Sequence, residues 1–394
     1  MLDICIAGGG ASAMAAAISA AGENPDLRIG ILEKEPVLGR KLLATGNGKC
    51  NLSNAACPDV NKTLAFFSAM GILTRRDEQG RIYPYAEQAG GVVYGLERQI
   101  RACGRVQVRT GCPVTAAEQT KGGFRVDCGE GSLQARKLLI ACGGKAGPQY
   151  GTTGDGYRLA RGFGHTVTKT VPVLTGLETA KSFVPLKGIR AKGNVSLWKN
   201  DLELARETGE IQFTADGLSG ICIFNLSRWI KAGAGEDYRE ALAQYRVAVD
   251  FLPAMSETQA EAFLRERAGL PGLACGDLLF SVLAGPLAKC LLEESGLDLR
   301  QPAKEASGPE LARLARLLKD WTVEISGVKG WKTAQCTSGG VALPELNLGT
   351  MESKLVKGLY FAGEVIDFDG PCGGFNLQNA WETGIKAGKA MAHV

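Results

Sequence analysis

Histidine is almost missing from this chain. Only His165 and His393 occur among 394 residues. Histidine supplies the general base of Ser-His-Asp hydrolases and many of the ligands of zinc sites. We therefore expect neither a triad hydrolase nor any metal site. His165 follows a glycine-rich turn, and we expect it to be a hydrogen-bonded structural residue.

Three further absences narrow the class of protein. The 12 cysteines include no C-x-x-C or C-x-x-x-x-C pair, which argues against a zinc site and a disulfide reductase. No apolar run reaches the roughly 18 residues that a membrane-spanning helix needs. The 45 basic and 41 acidic residues are too balanced to indicate nucleic acid or an anionic membrane as partner. A protein of the reducing cytoplasm fits these absences.

Glycine, in contrast, is abundant, with 53 residues, and its most informative cluster stands near the start. A short apolar run ends at the pattern Gly8-x-Gly10-x-x-Ala13, and an alanine-rich segment, a second apolar run and Glu33 follow. The first glycine permits a tight turn, the second lets the backbone approach a pyrophosphate, and the small third residue allows close packing of helix and strand. An acid after the second strand suits ribose hydroxyls. The sequence therefore predicts a dinucleotide site.

Later segments indicate that the nucleotide-binding half is interrupted. Residues 139–144 and 358–364 are buried-strand patterns that run into glycine, and a helix is predicted from about Gln378 to Met391. Between them lie short strand patterns and then helix-forming sequence, including a helix predicted over residues 309–319.

We therefore expect an α/β protein whose nucleotide-binding domain comprises residues 1–165 and 333–394. Residues 166–220 and 300–332 are expected to form a β-rich insert, and residues 221–299 a helical insert. Such an insertion is tolerated where the chain ends lie close together.

A second glycine-rich segment points to a flavin site in particular. Residues 39–51 read Gly-Arg-Lys-Leu-Leu-Ala-Thr-Gly-Asn-Gly-Lys-Cys-Asn, a loop dense in glycine and amide side chains that could wrap a large planar cofactor. No second G-x-G-x-x-G follows a strand, so we expect no dedicated nicotinamide domain.

Three motifs, in the right order, resemble those of one bacterial family. Residues 39–51 resemble the G-R-K-x-x-x-(T/S)-G-x-G-(R/K)-C-N signature of the BaiN-like (YhiN-like) flavoproteins, also named NAD(P)/FAD-dependent oxidoreductases or aminoacetone oxidase-like proteins. Residues 209–220 are similar to the family's middle signature and residues 363–380 to its C-terminal flavin motif. The resemblance implies a FAD-binding Rossmann-like domain of glutathione-reductase type, interrupted by a β-barrel insert and a small helical insert.

The resemblance also implies positions for the cofactor. It assigns the first glycine turn to the FAD pyrophosphate, Glu33 to the adenosine ribose, the backbone of Val114 to the adenine and the start of the last helix to the flavin's pyrimidine edge. The residues expected at the cofactor are Gly8, Gly9, Gly10, Ala11, Ser12, Ala13, Glu33, Lys34, Gly39, Arg40, Lys41, Thr45, Gly46, Asn47, Gly48, Lys49, Cys50, Asn51, Val114, Ala141, Cys142, Gly143, Gly144, Gly363, Glu364, Asp367, Gly374, Phe375, Asn376, Leu377 and Gln378.

Two reactions and a scaffold remain as hypotheses. The resemblance implies either reduction of an activated C=C bond of enone or steroid type, with NADH or NADPH as a transient visitor, or oxidation of an amine or aminoketone such as aminoacetone, with hydrogen peroxide as product. A non-catalytic flavin-binding protein is the third hypothesis, since fold alone does not fix function. The partner is expected to be a small-molecule substrate.

No residue stands out as a general acid or base for either reaction. Candidates near the expected flavin face are Lys49, Tyr150, Thr337 and Cys372. A tyrosine or lysine would suit delivery of a proton to an enolate carbon.

Overall fold

The protein consists of two compact units. A computed structural model describes residues 1–129, 131–231 and 238–393. The discontinuous unit comprises Met1–Pro172 and Trp331–Val394, and the inserted unit comprises Val173–Gly330. Residues 232–237 of the predicted helical insert and residue 394 of the predicted nucleotide-binding domain lie outside the described residues.

The first part of the discontinuous unit alternates strands and helices. Its elements are β1 (Leu2–Ala7), α1 (Ala11–Glu23), β2 (Ile29–Leu32), α2 (Arg40–Ala44), β3 (Ser53–Asn54), α3 (Val60–Ala69), β4 (Thr74–Arg76), β5 (Arg81–Pro84), α4 (Ala89–Ala102), β6 (Val106–Arg109), β7 (Val114–Thr120), β8 (Gly123–Cys128), β9 (Gly131–Ile140) and α5 (Asp155–Gly162).

The inserted unit is built on a closed barrel. After β10 (Val171–Val173), its elements are β11 (Leu177–Thr179), β12 (Arg190–Lys199), β13 (Leu202–Thr214), β14 (Gly217–Ser219), α6 (Ile221–Ser227), α7 (Tyr238–Leu242), β15 (Tyr245–Asp250), α8 (Glu257–Ala268), α9 (Gly285–Ser295), α10 (Gly308–Lys319) and β16 (Trp321–Val328). The barrel order is β11-β14-β13-β12-β15-β16. Alternate residues of β15 and β16 are buried, as expected of strands with one face on a core.

The chain then returns to the central sheet of the discontinuous unit. This part comprises β17 (Cys336–Ser338), β18 (Leu346–Asn347), β19 (Glu352–Ser353), β20 (Leu359–Phe361) and α11 (Phe375–Ala392). The sheet has the order β18-β19-β20-β9-β1-β2-β6, and its strands from β20 to β6 are parallel. Ile6 of β1 is paired with Ile31 and with Leu139, and all three side chains are fully buried. The hairpin of β7 and β8 continues antiparallel from β9.

Parallel strands buried on both faces read as continuous apolar runs, which is why β1, β2 and β9 were recognisable in the sequence. This Rossmann-type sheet, interrupted by a barrel, confirms the predicted fold class. Ligands of such sheets bind at the carboxyl ends of the strands.

Helices α1 and α11 pack backbone to backbone in the discontinuous unit. A Cβ atom at Gly384 would lie 2.3 Å from the carbonyl oxygen of Ser12, and one at Gly388 would lie 2.3 Å from that of Ala16. Every residue of α1 from Ser12 to Ala21 is buried. The alanine-rich composition of α1 and the glycines of α11 therefore serve one close helix contact.

Two details differ from the predicted ranges. The units separate after Pro172 and after Gly330, a few residues from the predicted boundaries. Strand β15 is part of the barrel, although it falls in the range 221–299 that was expected to be helical. Its six residues alternate between buried and half-buried, a pattern too short to stand out between helix-forming segments.

Within the described part of the chain, every helix is too short or too polar to span a lipid bilayer.

Candidate cofactor site

A cavity of about 340 Å³ lies where the parallel strands of the discontinuous unit end. Sites for small molecules and cofactors commonly enclose about 300 to 1,000 Å³. The lining residues are Gly8, Gly9, Gly10, Ala11, Ser12, Leu32, Glu33, Lys34, Glu35, Gly39, Arg40, Lys41, Leu42, Thr45, Pro113, Val114, Thr115, Ala141, Cys142, Gly143, Tyr150, Gly151, Thr152, Asp155, Arg158, Gln335, Glu364, Asn376, Leu377 and Ala380. All of these residues belong to the discontinuous unit.

The turn between β1 and α1 forms one wall of the cavity. Gly8 has a φ of 109°, and a Cβ atom there would lie 2.5 Å from the carbonyl oxygen of Ala141. At Gly10, in contrast, a Cβ atom would enter open space. Gly10 is the N-cap of α1, and no side chain caps that helix. The first N–H groups of α1 are therefore left for an anionic ligand.

Glu33 presents a fixed carboxylate next to this turn. Its Oε2 accepts a hydrogen bond of 2.6 Å from the N–H of Gly9, and its Oε1 accepts one of 2.8 Å from the N–H of Glu35. Burial raises the pKa of Glu33, and the two backbone hydrogen bonds oppose that rise only in part. A carboxylate has about four lone-pair sites, so Glu33 can still accept hydrogen bonds from ligand hydroxyls.

Ion pairs neutralise most of the other charges around the cavity. The Nζ of Lys34 donates to Asp155 Oδ2 and to Thr153 Oγ1, both at 2.6 Å. Burial pushes the pKa of Asp155 upward, but the hydrogen bonds from Lys34 and Thr153, together with the positive charges of Lys34 and Arg158, leave it below its ordinary value. Arg40 is paired with Glu35. A ligand in this cavity thus meets few uncompensated charges.

A network around Glu364 joins four segments of the discontinuous unit. Glu364 Oε2 lies 2.7 Å from the Nζ of Lys41, and Glu364 Oε1 accepts a hydrogen bond of 2.9 Å from the N–H of Thr337. Thr337 Oγ1 in turn accepts one of 2.8 Å from the N–H of Lys145. A Cβ atom at Gly144 would lie 2.4 Å from that hydroxyl oxygen. The network fixes the charge of Lys41 in the cavity wall.

The first turn of α11 forms a second uncapped helix start at the cavity. The N-cap is Gly374, which has a left-handed backbone and no side-chain cap. The Asn376 amide exchanges two hydrogen bonds with the backbone of Gly370, at 2.8 Å and 2.9 Å. Asn376 therefore orders the loop before α11, and the helix N–H groups remain for a ligand.

Two buried amide atoms beside this helix start have no hydrogen-bond partner among the described residues. They are Asn51 Oδ1 and Gln378 Nε2, although the other amide atom of Gln378 accepts a hydrogen bond of 2.7 Å from Ser53. An unsatisfied buried polar group costs about 1–3 kcal/mol. Such atoms commonly mark a bound ligand or water.

The predicted flavin loop lines the cavity only at its beginning. Residues 39–42 and Thr45 are lining residues, whereas residues 46–51 are not. Lys49 is paired with Glu87 at 2.7 Å. Cys50 has a φ of 58°, is buried, and has a pKa that burial raises to about 12.

The structure brings together more than half of the residues expected at the cofactor. Those that line the cavity are Gly8, Gly9, Gly10, Ala11, Ser12, Glu33, Lys34, Gly39, Arg40, Lys41, Thr45, Val114, Ala141, Cys142, Gly143, Glu364, Asn376 and Leu377. Those that are not lining residues are Ala13, Gly46, Asn47, Gly48, Lys49, Cys50, Asn51, Gly144, Gly363, Asp367, Gly374, Phe375 and Gln378.

Some of the second group have clear structural roles. Ala13 is fully buried in α1, and the Asp367 carboxylate accepts a hydrogen bond of 2.9 Å from Thr168. Of the four catalytic candidates, Tyr150 alone is a lining residue. Thr337 is fully buried within the Glu364 network, and Cys372 is not a lining residue.

Sequence reasoning missed the residues that reach the cavity from tertiary neighbours. They are Leu32, Glu35, Leu42, Pro113, Thr115, Gly151, Thr152, Asp155, Arg158, Gln335 and Ala380. Several simply neighbour predicted residues, and a wider window would have included them. Asp155 and Arg158 come from α5, whose sequence carries no local signal of a ligand site.

Cysteine and histidine have no reactive role in this cavity. Cys142 is the cysteine among the lining residues; its thiol donates to the carbonyl of Ala7 at 3.3 Å, and burial raises its pKa to about 12. This favours neither a thiolate nor a redox disulfide. His165 is buried, with Nδ1 2.8 Å from Glu345 and Nε2 2.7 Å from Ser353, which confirms the expected structural role.

The residues present fit FAD. The glycine turn suits a pyrophosphate, the Glu33 carboxylate suits ribose hydroxyls, and two uncapped helix starts suit the phosphates and the electron-rich edge of a flavin. The fold and these residues suit the FAD-dependent oxidoreductase that the sequence predicts.

Residues 58–390 match the HI0933-like protein Rossmann domain family, and the chain belongs to that family. It is 38% identical over 413 aligned residues to the 3-dehydro-bile acid delta(4,6)-reductase of Clostridium scindens, with 100% of this chain and 99% of that protein covered. It is 28% identical to the ribosomal RNA dihydrouridine synthase of Escherichia coli, with 97% and 96% covered. These relatives are enzymes and confirm the predicted resemblance.

Among solved structures, a mutant form of the E. coli quinol fumarate reductase FrdA superposes with a TM-score of 0.52 at 16% identity, over 99% of this chain and 70% of that one. At this level of identity the similarity concerns the fold alone.

Proposed function

We propose that this enzyme reduces a carbon–carbon double bond conjugated to a carbonyl group, with NADH or NADPH as the hydride source. The observation that carries the proposal is the similarity, over the entire chain, to an enzyme named 3-dehydro-bile acid delta(4,6)-reductase. The substrate class would be a small enone of steroid type. The lack of a second dinucleotide fingerprint supports a nicotinamide that visits and leaves.

The chain's own residues have distinct tasks in this proposal. FAD, when bound, supplies the hydride chemistry. The turn at Gly8–Gly10 would hold its pyrophosphate, Glu33 its ribose, and the Lys41–Glu364 pair would set the position of its middle portion. The start of α11 would stabilise negative charge on the reduced cofactor.

We assign proton delivery to Tyr150. Reduction of an enone places hydride on one carbon of the double bond and requires a proton on the other. Tyr150 is the catalytic candidate that lines the cavity, and a tyrosine hydroxyl can act as a general acid.

A second candidate function is reduction of uracil in RNA. Relatives that are 28% and 26% identical carry the name ribosomal RNA dihydrouridine synthase. The uracil double bond is also conjugated to a carbonyl, so the chemistry within the site would be the same. The near balance of 45 basic and 41 acidic residues favours the small molecule, since RNA affinity draws strongly on cationic surface.

The twelve cysteines support a reducing compartment. All of them are free, and such thiols persist where disulfides do not form. We propose the cytoplasm as the place of action.

An anaerobic titration tests the proposed reaction. The FAD-loaded protein is titrated with NADH and with NADPH while the flavin absorbance at about 450 nm is followed. The reduced protein is then mixed with a 3-keto-4-ene steroid, with ribosomal RNA, or with air. We expect bleaching by a nicotinamide and recovery with the steroid.

Each other outcome has a defined meaning. If ribosomal RNA restores the flavin absorbance and the steroid does not, reduction of uracil in RNA replaces enone reduction as the function. Bleaching by aminoacetone, followed by peroxide formation in air, replaces both by an amine oxidase. In the Tyr150→Phe variant, bleaching should be unchanged and steroid-dependent recovery at least about tenfold slower; equal recovery removes Tyr150 from the mechanism.

A further inference from the structure

Arg158 differs from the other charged residues that line the cavity. Glu35, Lys34, Lys41 and their partners form ion pairs, and the Glu33 carboxylate is held by two backbone N–H groups. Arg158 has no carboxylate within 4 Å among the described residues, although its positive charge helps to lower the pKa of Asp155 on the same helix. Its Nη1 instead donates to the carbonyl oxygen of Thr115.

Arg158 lines the cavity beside the segment that is hydrogen-bonded to Glu33. The N–H of Cys112 donates to the carbonyl oxygen of Glu33 at 2.8 Å, so the lining residues Pro113–Thr115 directly adjoin the residue expected at the ribose. Two side chains of α5 bind residues of this part of the cavity wall. Asp155 accepts a hydrogen bond of 2.6 Å from Lys34, and Arg158 donates one to the carbonyl oxygen of Thr115. Arg158 therefore lines the cavity beside the segment that adjoins the position expected for the ribose.

The chemistry of that position matches an aromatic base. The guanidinium is planar, is in no ion pair shorter than 4 Å with a described carboxylate, and donates from one nitrogen to a backbone carbonyl. Arginine in this state stacks on aromatic rings, both as a cation and as a flat surface. Lysine has the charge without the flat surface.

We infer that Arg158 stacks on the adenine ring of FAD and is a specificity residue for the adenine half of the cofactor. This inference rests on the binding of FAD at the cavity and not on the reaction that follows. It assigns to α5 a role in cofactor recognition that the glycine signatures do not reveal.

Competition binding to the full-length apoprotein tests this assignment. FAD affinity is measured by fluorescence, with ADP as a probe of the adenine half and inorganic pyrophosphate as a probe of the phosphate cradle. We expect Arg158→Ala to weaken FAD and ADP by the same factor of about ten and to leave pyrophosphate unchanged. Arg158→Lys should recover only part of the loss, because stacking needs the planar group.

Arg161→Ala is the matched control, since Arg161 lies on the same helix and is exposed but is not a lining residue. It should bind FAD and ADP as the unmodified protein does. Unchanged FAD and ADP affinities in Arg158→Ala, an equal loss of pyrophosphate, or full recovery by lysine would each overturn the inference. None of these readouts depends on a substrate, so they stay interpretable if the proposed reduction fails.

Discussion

Helix α8 of the inserted unit begins differently from the two helices that start at the cavity of the discontinuous unit. In the inserted unit, α8 starts with a capping box: the N–H of Ser256 donates to Gln259 Oε1 at 2.8 Å, and the N–H of Gln259 donates to Ser256 Oγ at 3.2 Å. In the discontinuous unit, α1 and α11 start at Gly10 and Gly374 with no side-chain cap. Helix α8 thus satisfies part of its own N-terminal N–H groups, whereas α1 and α11 leave theirs open at the cavity. Helices α6 and α9 of the inserted unit also lack a side-chain cap, so the difference concerns these individual helices and not every helix of each unit.

Capped helix starts stabilise the folded protein, whereas the uncapped starts of α1 and α11 are available for ligand binding. A cap typically contributes about 1 kcal/mol to a helix, so the bare starts of α1 and α11 cost the apoprotein stability that bound FAD would restore. Helix α10 shows the capped pattern again, since the N–H of Ser307 donates to Glu310 at 2.7 Å. Substitutions in each unit test whether capped starts serve stability and open starts serve binding.

The largest effect is expected where α11 touches α1. Gly388→Ala would place a methyl group 2.3 Å from the carbonyl oxygen of Ala16 and force the helices apart. We expect the free energy of unfolding of the apoprotein to fall by about 3 kcal/mol, measured by urea denaturation. The control is Gly91→Ala in α4, where a Cβ atom meets nothing within 4 Å and a gain of up to about 1 kcal/mol is expected. Equal effects of the two variants would contradict the close helix contact.

A smaller loss, confined to binding, is expected at the bare start of α1. In Gly10→Ala the new methyl group enters the open cavity, where the pyrophosphate is expected. FAD affinity should fall about 10- to 100-fold in a fluorescence titration, because the phosphates can no longer approach the backbone. The unfolding free energy of the apoprotein should stay the same. Gly22→Ala, in the same helix and also in open space, should leave FAD affinity unchanged and raise the unfolding free energy by up to about 1 kcal/mol. Normal FAD binding by Gly10→Ala would place the pyrophosphate elsewhere.

Glu33→Gln should weaken FAD binding and change how the unfolding free energy of the apoprotein depends on pH. Loss of the carboxylate acceptor should weaken FAD by about 1–2 kcal/mol. Burial raises the pKa of Glu33, so the folded apoprotein binds this proton more tightly than the unfolded chain. Its unfolding free energy should therefore rise as pH falls from the raised pKa toward the ordinary value of about 4.3.

The glutamine variant lacks this titration. Its unfolding free energy relative to that of the unmodified apoprotein should be highest at neutral pH and should fall on acidification. One backbone N–H loses its acceptor in the variant, which shifts this difference by the same amount at every pH. Denaturation curves from pH 7 to about pH 4 measure the difference. If the unfolding free energies of the two proteins changed with pH in parallel, burial would not raise the free energy of the Glu33 carboxylate.

The smallest effect is expected in the inserted unit. Ser256→Ala removes the capping box of α8 and should lower the unfolding free energy by about 1 kcal/mol. FAD affinity should be unchanged, since every lining residue belongs to the other unit. Ser68→Ala, at an exposed position of α3, should change stability by less than about 0.5 kcal/mol. A loss of FAD affinity in Ser256→Ala would mean that the cofactor site extends beyond the discontinuous unit.

Much of the candidate site was predictable because its signals are local. The turn from Gly8 to Gly10, Glu33 and the strand ending before Glu364 all lie at the cavity, because strand ends of a parallel sheet meet at one edge. The last helix was predicted from about Gln378 and begins at Phe375. The left-handed backbone of Gly374 sets that start, and only the folded chain reveals it.

Other parts of the site could not be read from local pattern. The flavin loop was expected at the cofactor as far as Asn51, yet its lining residues end at Thr45. The left-handed conformations of Asn47 and Cys50 set its path, and composition does not encode which way such a loop turns. For the predicted cofactor residues that do not line the cavity, contact with FAD stays a prediction.

The sequence alone determined the class of this protein: a glycine turn between apolar strands, an acid after the second strand and a flavin signature fix a dinucleotide-binding α/β domain. Tertiary packing sets which charged side chains line the cavity. Arg158, Asp155 and Thr337 reach the site or its supporting network through contacts between segments that are distant in the chain. Local periodicity reports which residues are buried, but only the packing of helices on the sheet determines which polar groups meet.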